Sequence, residues 1–124
     1  MIYLDTHVVM WLVDGSVDNF SPNVAKLLDN EPLAISPFVL LELKFLEEVG
    51  KITGGISTLQ NIITNDLAVS IEDRSLLELT TKALSYSWTR DPFDRMIVAQ
   101  AALDGAKLIT RDRNIRKNFK DADW

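Results

Sequence analysis

The stretch IYLDTHVVMWLVDG, residues 2–15, decides the fold. Residues 2–4 form an apolar run typical of a buried strand, and residues 6–13 follow it with helical periodicity. The same succession recurs along the chain, at the apolar runs 33–35, 67–71 and 107–110. Strands that alternate with helices predict an α/β fold, with a central, mainly parallel sheet of four to five strands and helices on its faces.

The predicted helices have recognisable start and stop signals. Serine or aspartate followed by proline, as in Ser21-Pro22, Ser36-Pro37 and Asp91-Pro92, places an N-cap before the first helical residue. Gly50 and Gly105 mark two helix ends. We therefore predict helices over residues 6–13, from residue 22 onward, and over 37–49, 56–64, 73–84 and 92–104.

Composition predicts one ordinary domain over residues 1–124. The chain is 47% hydrophobic, has no cysteine and contains no repeat or long linker. Its apolar N-terminus lacks a basic flank and a small-residue cleavage site, and Asp5 and His7 interrupt it. We therefore expect neither a signal peptide nor a membrane span, and a cytoplasmic protein.

The charge distribution bears on nucleic-acid binding. A net charge of -5 argues against a phosphate-rich partner, but six of the thirteen basic residues lie close together. These six are Lys107, Arg111, Arg113, Arg116, Lys117 and Lys120. The cluster is either a solvated tail or, because Asp112 lies within it, a path for a nucleic-acid backbone to an acidic site.

Two acids lie on helix faces that are otherwise apolar. Glu42 shares a face with Phe38, Phe45, Leu46 and Val49, and Asp94 shares one with Ile97, Val98 and Ala101. A carboxylate on an apolar stripe is costly unless it is paired, protonated or bound to a metal. The alternatives are that Glu42 reaches water at the stripe's margin, and that the helix dipole stabilises Asp94 in the first turn.

Two further acids directly follow predicted strands. Asp5 follows residues 2–4 and Asp112 follows residues 107–110, although either could be a cap or turn residue. We assign Asp91 mainly to capping. Parallel sheets bind ligands at the carboxyl ends of their strands, so the four candidate acids are expected to meet there. Such a cluster would repel itself without a hard cation, which predicts Mg²⁺ or Mn²⁺.

The remaining residue types restrict the chemistry. The chain has no cysteine, and His7 is its single histidine, with no serine marked as its partner. No glycine-rich phosphate loop is present. Metal-assisted hydrolysis of a phosphodiester is what these residues can support.

The sequence resembles the PIN-domain family, and within it the VapC-type toxins. The resemblance covers nearly the whole chain and rests on YLDTH, SPFVLLELKFLEEVGKI, RDPFDRMIVAQAALDG and LITRDRNI, in that order. It implies a three-layer α/β/α sandwich, an RNA substrate, a Mg²⁺ or Mn²⁺ cofactor and cleavage by activated water. It also implies a small VapB-like antitoxin as partner, and a homodimer.

The resemblance also assigns individual residues. Asp5, Glu42, Asp94 and Asp112 match the acids of the catalytic metal site, and Thr6 and Thr110 match supporting hydroxyl positions. Of the four acids, we expect Asp5 and Asp94 to hold the metal most directly, with Glu42 and Asp112 completing its coordination directly or through water. We assign possible RNA-phosphate contacts to Arg111, Arg113, Arg116 and Lys117. Two positions depart from the family: Trp88-Thr89-Arg90 stands where a histidine often precedes DPFDR, and His7 stands where many members have asparagine or serine.

Two rival functions stay open at this point. A phosphoaspartyl phosphatase also has an acid after its first strand, but it resembles D-x-D, and here the second position is His7. A catalytically degenerate PIN fold that binds RNA or protein is the other, and the presence of all four acids counts against it.

Overall fold

Five short strands form one parallel sheet in the computed structural model, which describes residues Met1–Trp124. The strands are β1 (Ile2–Leu4), β2 (Leu33–Ile35), β3 (Ser70–Ile71), β4 (Lys107–Ile109) and β5 (Ala122–Asp123). Their order is β3-β2-β1-β4-β5, and every neighbouring pair is parallel. The predicted parallel sheet of four to five strands is confirmed.

Seven α-helices flank the sheet and complete the predicted three-layer α/β/α sandwich. They are α1 (Thr6–Asp14), α2 (Pro22–Asn30), α3 (Pro37–Glu48), α4 (Ile56–Asn61), α5 (Leu76–Ala83), α6 (Pro92–Leu103) and α7 (Arg113–Asn118). A 3₁₀ turn at Val17–Asn19 follows α1, and a π-helical turn at Ile62–Asp66 extends α4. No helix is both long enough and apolar enough to cross a bilayer.

Several predicted boundaries were wrong. The strand predicted over 67–71 is only Ser70–Ile71, because Leu67 caps the π turn and Ala68 has a φ of 53°, which interrupts an extended backbone. The helix predicted from residue 73 begins at Leu76, after its N-cap Ser75. Helix α7 and strand β5 were not predicted, since elements of six and two residues are too short to show periodicity.

The core surrounds the central strands, with buried residues of α1, α3 and α6 packed against them. Every residue of β1 is buried, and so are Leu108 and Ile109 of β4. Six consecutive residues of α6, Met96–Ala101, are buried, so this helix is enclosed on nearly all sides. This burial fixes the N-terminus of α6, and Asp94 with it, against the carboxyl edge of the sheet.

The strand order creates a switch point between β1 and β4. From β1 the chain proceeds to β2 and β3 on one side, then crosses to β4 and β5 on the other. Connections that leave two adjacent strands in opposite directions open a crevice at their carboxyl ends. Asp5 and Thr110 are the residues that directly follow β1 and β4, so both lie at this crevice.

Candidate functional site

A cleft of about 320 Å³ lies at the carboxyl edge of the sheet. Its lining is Asp5, His7, Trp11, Glu42, Asp91, Asp94, Arg111 and Asp112. The structure therefore brings together all four acids singled out in the sequence, and it adds Asp91 to them. Five carboxyl groups face only one arginine and one histidine, so the cleft is strongly acidic.

Asp5 and Asp112 are linked through Thr110. Asp5 is buried; its Oδ1 accepts a hydrogen bond of 2.8 Å from the amide of Thr6, and its Oδ2 accepts one of 2.6 Å from the Thr110 hydroxyl. The same hydroxyl oxygen accepts the amide of Asp112 at 3.0 Å. Asp112 in turn caps α7 by accepting the amide of Ile115 at 2.8 Å. Thr110 thus sets the spacing of these two acids.

Glu42, Asp91 and Asp94 form the tightest acidic group. One carboxylate oxygen from each lies within 4.8 Å of the others. Glu42 and Asp94 are half-buried, whereas Asp91 is exposed. Asp5 and Asp112 line the same cleft without joining this group of three.

Asp91 is the acidic residue whose second role the sequence interpretation missed. It does cap α6, since its Oδ1 accepts the amides of Phe93 at 2.8 Å and Asp94 at 3.3 Å. It also belongs to the acidic group of three. The spacing Asp91-x-x-Asp94 across a helix start was the available signal, because residues three apart share one side of a helix.

Burial and mutual repulsion raise the pKa values of the acids in this cleft. For Asp94, burial first and then the charges of Asp91 and Asp5 raise the pKa to about 8. Burial likewise raises the pKa of Glu42, and the charges of Asp5 and Asp91 add to that rise. Burial raises the pKa of Asp5, against the hydrogen bonds from Thr110 and Thr6. Ionising these acids therefore costs more free energy in the folded protein than it would in water.

A divalent cation fits this donor set. The group of three offers only carboxylate oxygens, the ligands that Mg²⁺ and Mn²⁺ accept. Two of the three acids are half-buried and lack an ion pair, so a bound cation would supply the missing counter-charge. The residues present are therefore suited to holding one such ion.

The helix face that carries Glu42 is less buried than its apolar sequence implied. Phe45 is 50% exposed and Val49 is 53% exposed. Glu42 is itself half-buried rather than enclosed by that stripe. By contrast Ile97, Val98 and Ala101, on the face of Asp94, are all buried as expected.

The four cations proposed as phosphate contacts lie at and beyond the cleft. Arg111 lines it, while Arg113, Arg116 and Lys117 are exposed on α7 outside the lining. Arg116 folds back, and its Nη2 donates to the carbonyl oxygen of Arg111 at 3.3 Å. None of the four forms an ion pair.

His7 and Trp11 also line the cleft, and the sequence interpretation assigned neither to it. His7 is exposed, so it is not the structural histidine that a lone histidine beside an apolar run suggests. His7 and Trp11 are four residues apart on α1, the helix that begins directly after Asp5. Their shared helix face was the signal that could have placed both beside the acids.

Comparison with known proteins identifies the family. Residues 2–120 match the sequence model of the PIN domain. The chain is 30% identical to the ribonuclease VapC22 of Mycobacterium tuberculosis, in a match that covers 94% of this chain and 91% of that protein.

Solved structures show the same fold. VapBC2 from Rickettsia felis, solved bound to a DNA fragment from its promoter, matches with a TM-score of 0.70 and 23% identity, over 99% of this chain and 98% of that one. A toxin–antitoxin complex from Klebsiella pneumoniae matches with a TM-score of 0.66 and 17% identity, over 100% and 97% of the two chains.

Proposed function

The chain belongs to the PIN domain family, and we propose that it is a metal-dependent ribonuclease acting as the toxin of a VapBC-type toxin–antitoxin pair. In this proposal residues 1–124 are one nuclease domain that hydrolyses phosphodiester bonds of RNA. The observation that carries it is the set of carboxylate oxygens of Glu42, Asp91 and Asp94, which lie within 4.8 Å of one another in the cleft.

Glu42, Asp91 and Asp94 would hold Mg²⁺ or Mn²⁺ most directly, with Asp5 and Asp112 completing the acidic cleft. This differs from the sequence-based expectation that Asp5 and Asp94 do so. Both oxygens of Asp5 already accept hydrogen bonds from protein groups, which favours a supporting role for it. When bound, such an ion supplies Lewis acidity that activates water and stabilises a leaving oxygen.

The chain's own residues would orient the substrate. Thr110 holds Asp5 and Asp112 at a fixed spacing through two hydrogen bonds. Arg111 lies in the cleft and Arg113, Arg116 and Lys117 lie on α7, all without acidic partners. These cations would draw the phosphate backbone toward a site that is otherwise negative.

A protein partner is the second part of the proposal. The two solved structures named above are toxin–antitoxin assemblies, and we extend that to this chain as a VapB-like antitoxin partner. A homodimer, implied by the family resemblance, is also part of the proposal. The surface of the chain is suited to partners, because α3, α5 and the residues that cap their C-termini carry apolar side chains that are at least half exposed. These are Leu41, Phe45, Val49, Leu76, Leu77 and Leu84.

Phosphoaspartyl chemistry is not favoured. An aspartate nucleophile needs a free, exposed carboxylate oxygen, but Asp5 is only 7% exposed and both of its oxygens are hydrogen-bonded.

Cleavage of RNA tests the enzyme proposal. We expect the protein to cut single-stranded RNA with Mg²⁺ or Mn²⁺, and to stop when a chelator is added. Asp94→Asn should lower the rate by about 100-fold or more, because it removes a ligand of the ion that stabilises charge in the transition state. Asp29→Asn, an exposed acid on α2, is the matched control. Equal cleavage with metal, with chelator and in Asp94→Asn contradicts the proposed metal-dependent mechanism, whereas no cleavage under any of these conditions favours a degenerate binding module.

Asp91→Ser separates its two roles. Serine keeps an oxygen that can cap α6 but removes the carboxylate, so metal affinity should fall by about 10-fold or more with little change in melting temperature. Asp91→Ala should in addition cost about 1 kcal/mol of folding stability. A serine variant with the wild-type metal requirement would leave Asp91 only a capping role.

A further inference from the structure

One wall of the acidic cleft is aromatic and basic. It consists of His7, Trp11 and Arg111, which we call the stacking wall. The His7 and Trp11 rings have centroids 6.2 Å apart and are tilted by 53°. The guanidinium carbon of Arg111 lies 5.8 Å from the centroid of the Trp11 ring, over its face. Nothing in the acidic group of three requires these residue types.

Two further aromatic rings, those of Phe20 and Trp124, contact the Trp11 ring. The centroid of the Trp11 ring lies 6.2 Å from that of Phe20, with an interplanar angle of 67°. It lies 5.5 Å from that of Trp124, with an interplanar angle of 59°. Phe20 and Trp124 also contact each other, with centroids 5.9 Å apart. Because three rings from distant parts of the chain hold one another, the Trp11 indole is a preorganised platform that loses little freedom on binding.

Arg111 is free to leave this platform. Its side chain is exposed, and it makes neither an ion pair nor a hydrogen bond. The guanidinium group is held only by its position over the Trp11 ring. A cation over an exposed aromatic face is held only weakly. An incoming phosphate with full negative charge offers the same guanidinium a stronger, charge-assisted hydrogen bond.

We propose that the stacking wall is a base-binding subsite of the nuclease, a step that rests on the proposed function. An unpaired nucleobase beside the scissile phosphate stacks on the indole of Trp11, and Arg111 turns from that ring to the adjacent phosphate. His7 adds a second ring and a hydrogen-bonding imidazole at the platform's edge. The substrate class is therefore single-stranded RNA, because the bases of a duplex are already stacked and paired.

An abasic substrate tests the subsite. KM and kcat are measured for a single-stranded RNA and for the same RNA with one abasic residue next to the cleaved bond. The abasic residue should raise KM about 5- to 100-fold for the wild type, the loss expected for one base–aromatic stack. Trp11→Leu should raise KM of the intact RNA by a similar factor, with a smaller change in kcat.

The decisive quantity is the coupling between the two changes. In Trp11→Leu the abasic residue should have almost no further effect, and Trp11→Phe should restore most of the difference, because phenylalanine retains a stacking face. A purely structural role of Trp11 would weaken both substrates equally. The matched control is Tyr86→Leu, which removes the ring of the other cation–aromatic pair, Lys82 and Tyr86, away from the cleft lining.

Failure of this inference can be told from failure of the ribonuclease proposal. If the wild type cuts RNA but the abasic residue and Trp11→Leu have independent effects on KM, the stacking wall is overturned and the ribonuclease stands. If no RNA is cut, fluorescence titration with the two RNAs still measures Kd. A Trp11-dependent preference for the intact RNA then supports the subsite, and equal Kd values overturn it.

Discussion

At the scale of the residue, capping and site formation are performed by the same side chains. Asp5, Asp91 and Asp112 are the N-caps of α1, α6 and α7, and all three line the acidic cleft. In a parallel sheet the helix that follows a strand begins near its carboxyl end. Its free amide groups and positive dipole end stabilise an acid there. Each of these three aspartates is therefore both a helix cap and part of the cleft lining.

The raised pKa of Asp94 predicts how the metal-free protein responds to pH. The pKa of Asp94 is about 8 in the folded chain, whereas the ordinary pKa of an aspartate is 3.8. At a pH between these two values, the folded state therefore keeps a proton that the unfolded state has released. The free energy of unfolding should therefore fall as pH rises from about 5 to about 8, by at most about 1.4 kcal/mol per pH unit for this group. The raised pKa values of Asp5 and Glu42 act in the same direction.

Urea unfolding with chelator at a series of pH values measures this effect. Asp94→Asn should show a shallower decline than the wild type, and saturating Mg²⁺ or Mn²⁺ should flatten the wild-type curve. A wild-type stability that rises across this range, or that runs parallel to the Asn variant, would show that Asp94 is ionised at little cost.

At the scale of the element, helix α7 holds part of the basic stretch in a defined position beside the cleft. Arg113, Arg116 and Lys117 lie within one six-residue helix, which Asp112 joins to the cleft as its N-cap. Burial of Ile115 and Phe119 holds this helix against the core. These three members of the basic cluster thus belong to a folded element beside the cleft rather than to a solvated tail.

Salt dependence tests the role of α7 in RNA binding. Arg116→Gln with Lys117→Gln should weaken binding of single-stranded RNA and reduce the slope of log K against log salt, by about 0.7 per lost phosphate contact. Fluorescence anisotropy in an Asp94→Asn background measures binding without cleavage. Lys26→Gln, an exposed lysine on α2, is the control. An unchanged slope would place the RNA backbone elsewhere.

At the scale of the whole molecule, a polar network joins three parts of the chain that are distant in sequence. The hydroxyl of buried Tyr3 in β1 donates to Asp104 after α6, and Arg74 pairs with the same carboxylate. Gln100 of α6 donates to the carbonyl oxygen of Glu72 at 2.6 Å, beyond the end of β3. Burial, with the Asp104 hydrogen bond, raises the pKa of Tyr3. The network therefore ties the central strand to α6 and to the β3–α5 connection.

Tyr3→Phe should separate stability from activity. It leaves Asp104 with one donor fewer, which should lower the free energy of unfolding by about 1–3 kcal/mol. Ten residues of helix, about 15 Å, separate Asp104 from Asp94, so RNA cleavage by the folded variant should be unchanged. Thermal unfolding and cleavage rates measure the two effects. Tyr86→Phe removes a hydroxyl that makes no hydrogen bond, so it should change neither the melting temperature nor the cleavage rate by much. Equal destabilisation by Tyr3→Phe and Tyr86→Phe would show that the network does not contribute to stability.

Local signals in the sequence determined most of the architecture. The apolar runs at Ile2–Leu4 and Leu33–Ile35, and the caps Ser21, Ser36 and Asp91, act over a few residues, so they can be recognised without knowing what they pack against. The sequence also marked the acids of the cleft, because a carboxylate on an apolar face is costly wherever the chain folds.

Tertiary structure alone decided which residues meet. Strand order brings Thr110 to Asp5 and Arg111 to Trp11, across about a hundred positions of the chain, and no local pattern encodes that separation. It also placed Asp91, rather than Asp5, with Glu42 and Asp94, because carboxylate spacing depends on how α3 and α6 pack. The sequence by itself determined that this protein carries an acidic site at the edge of a parallel sheet. Packing of distant elements decided the membership of that site and its aromatic wall, since side-chain distances follow from how those elements are stacked.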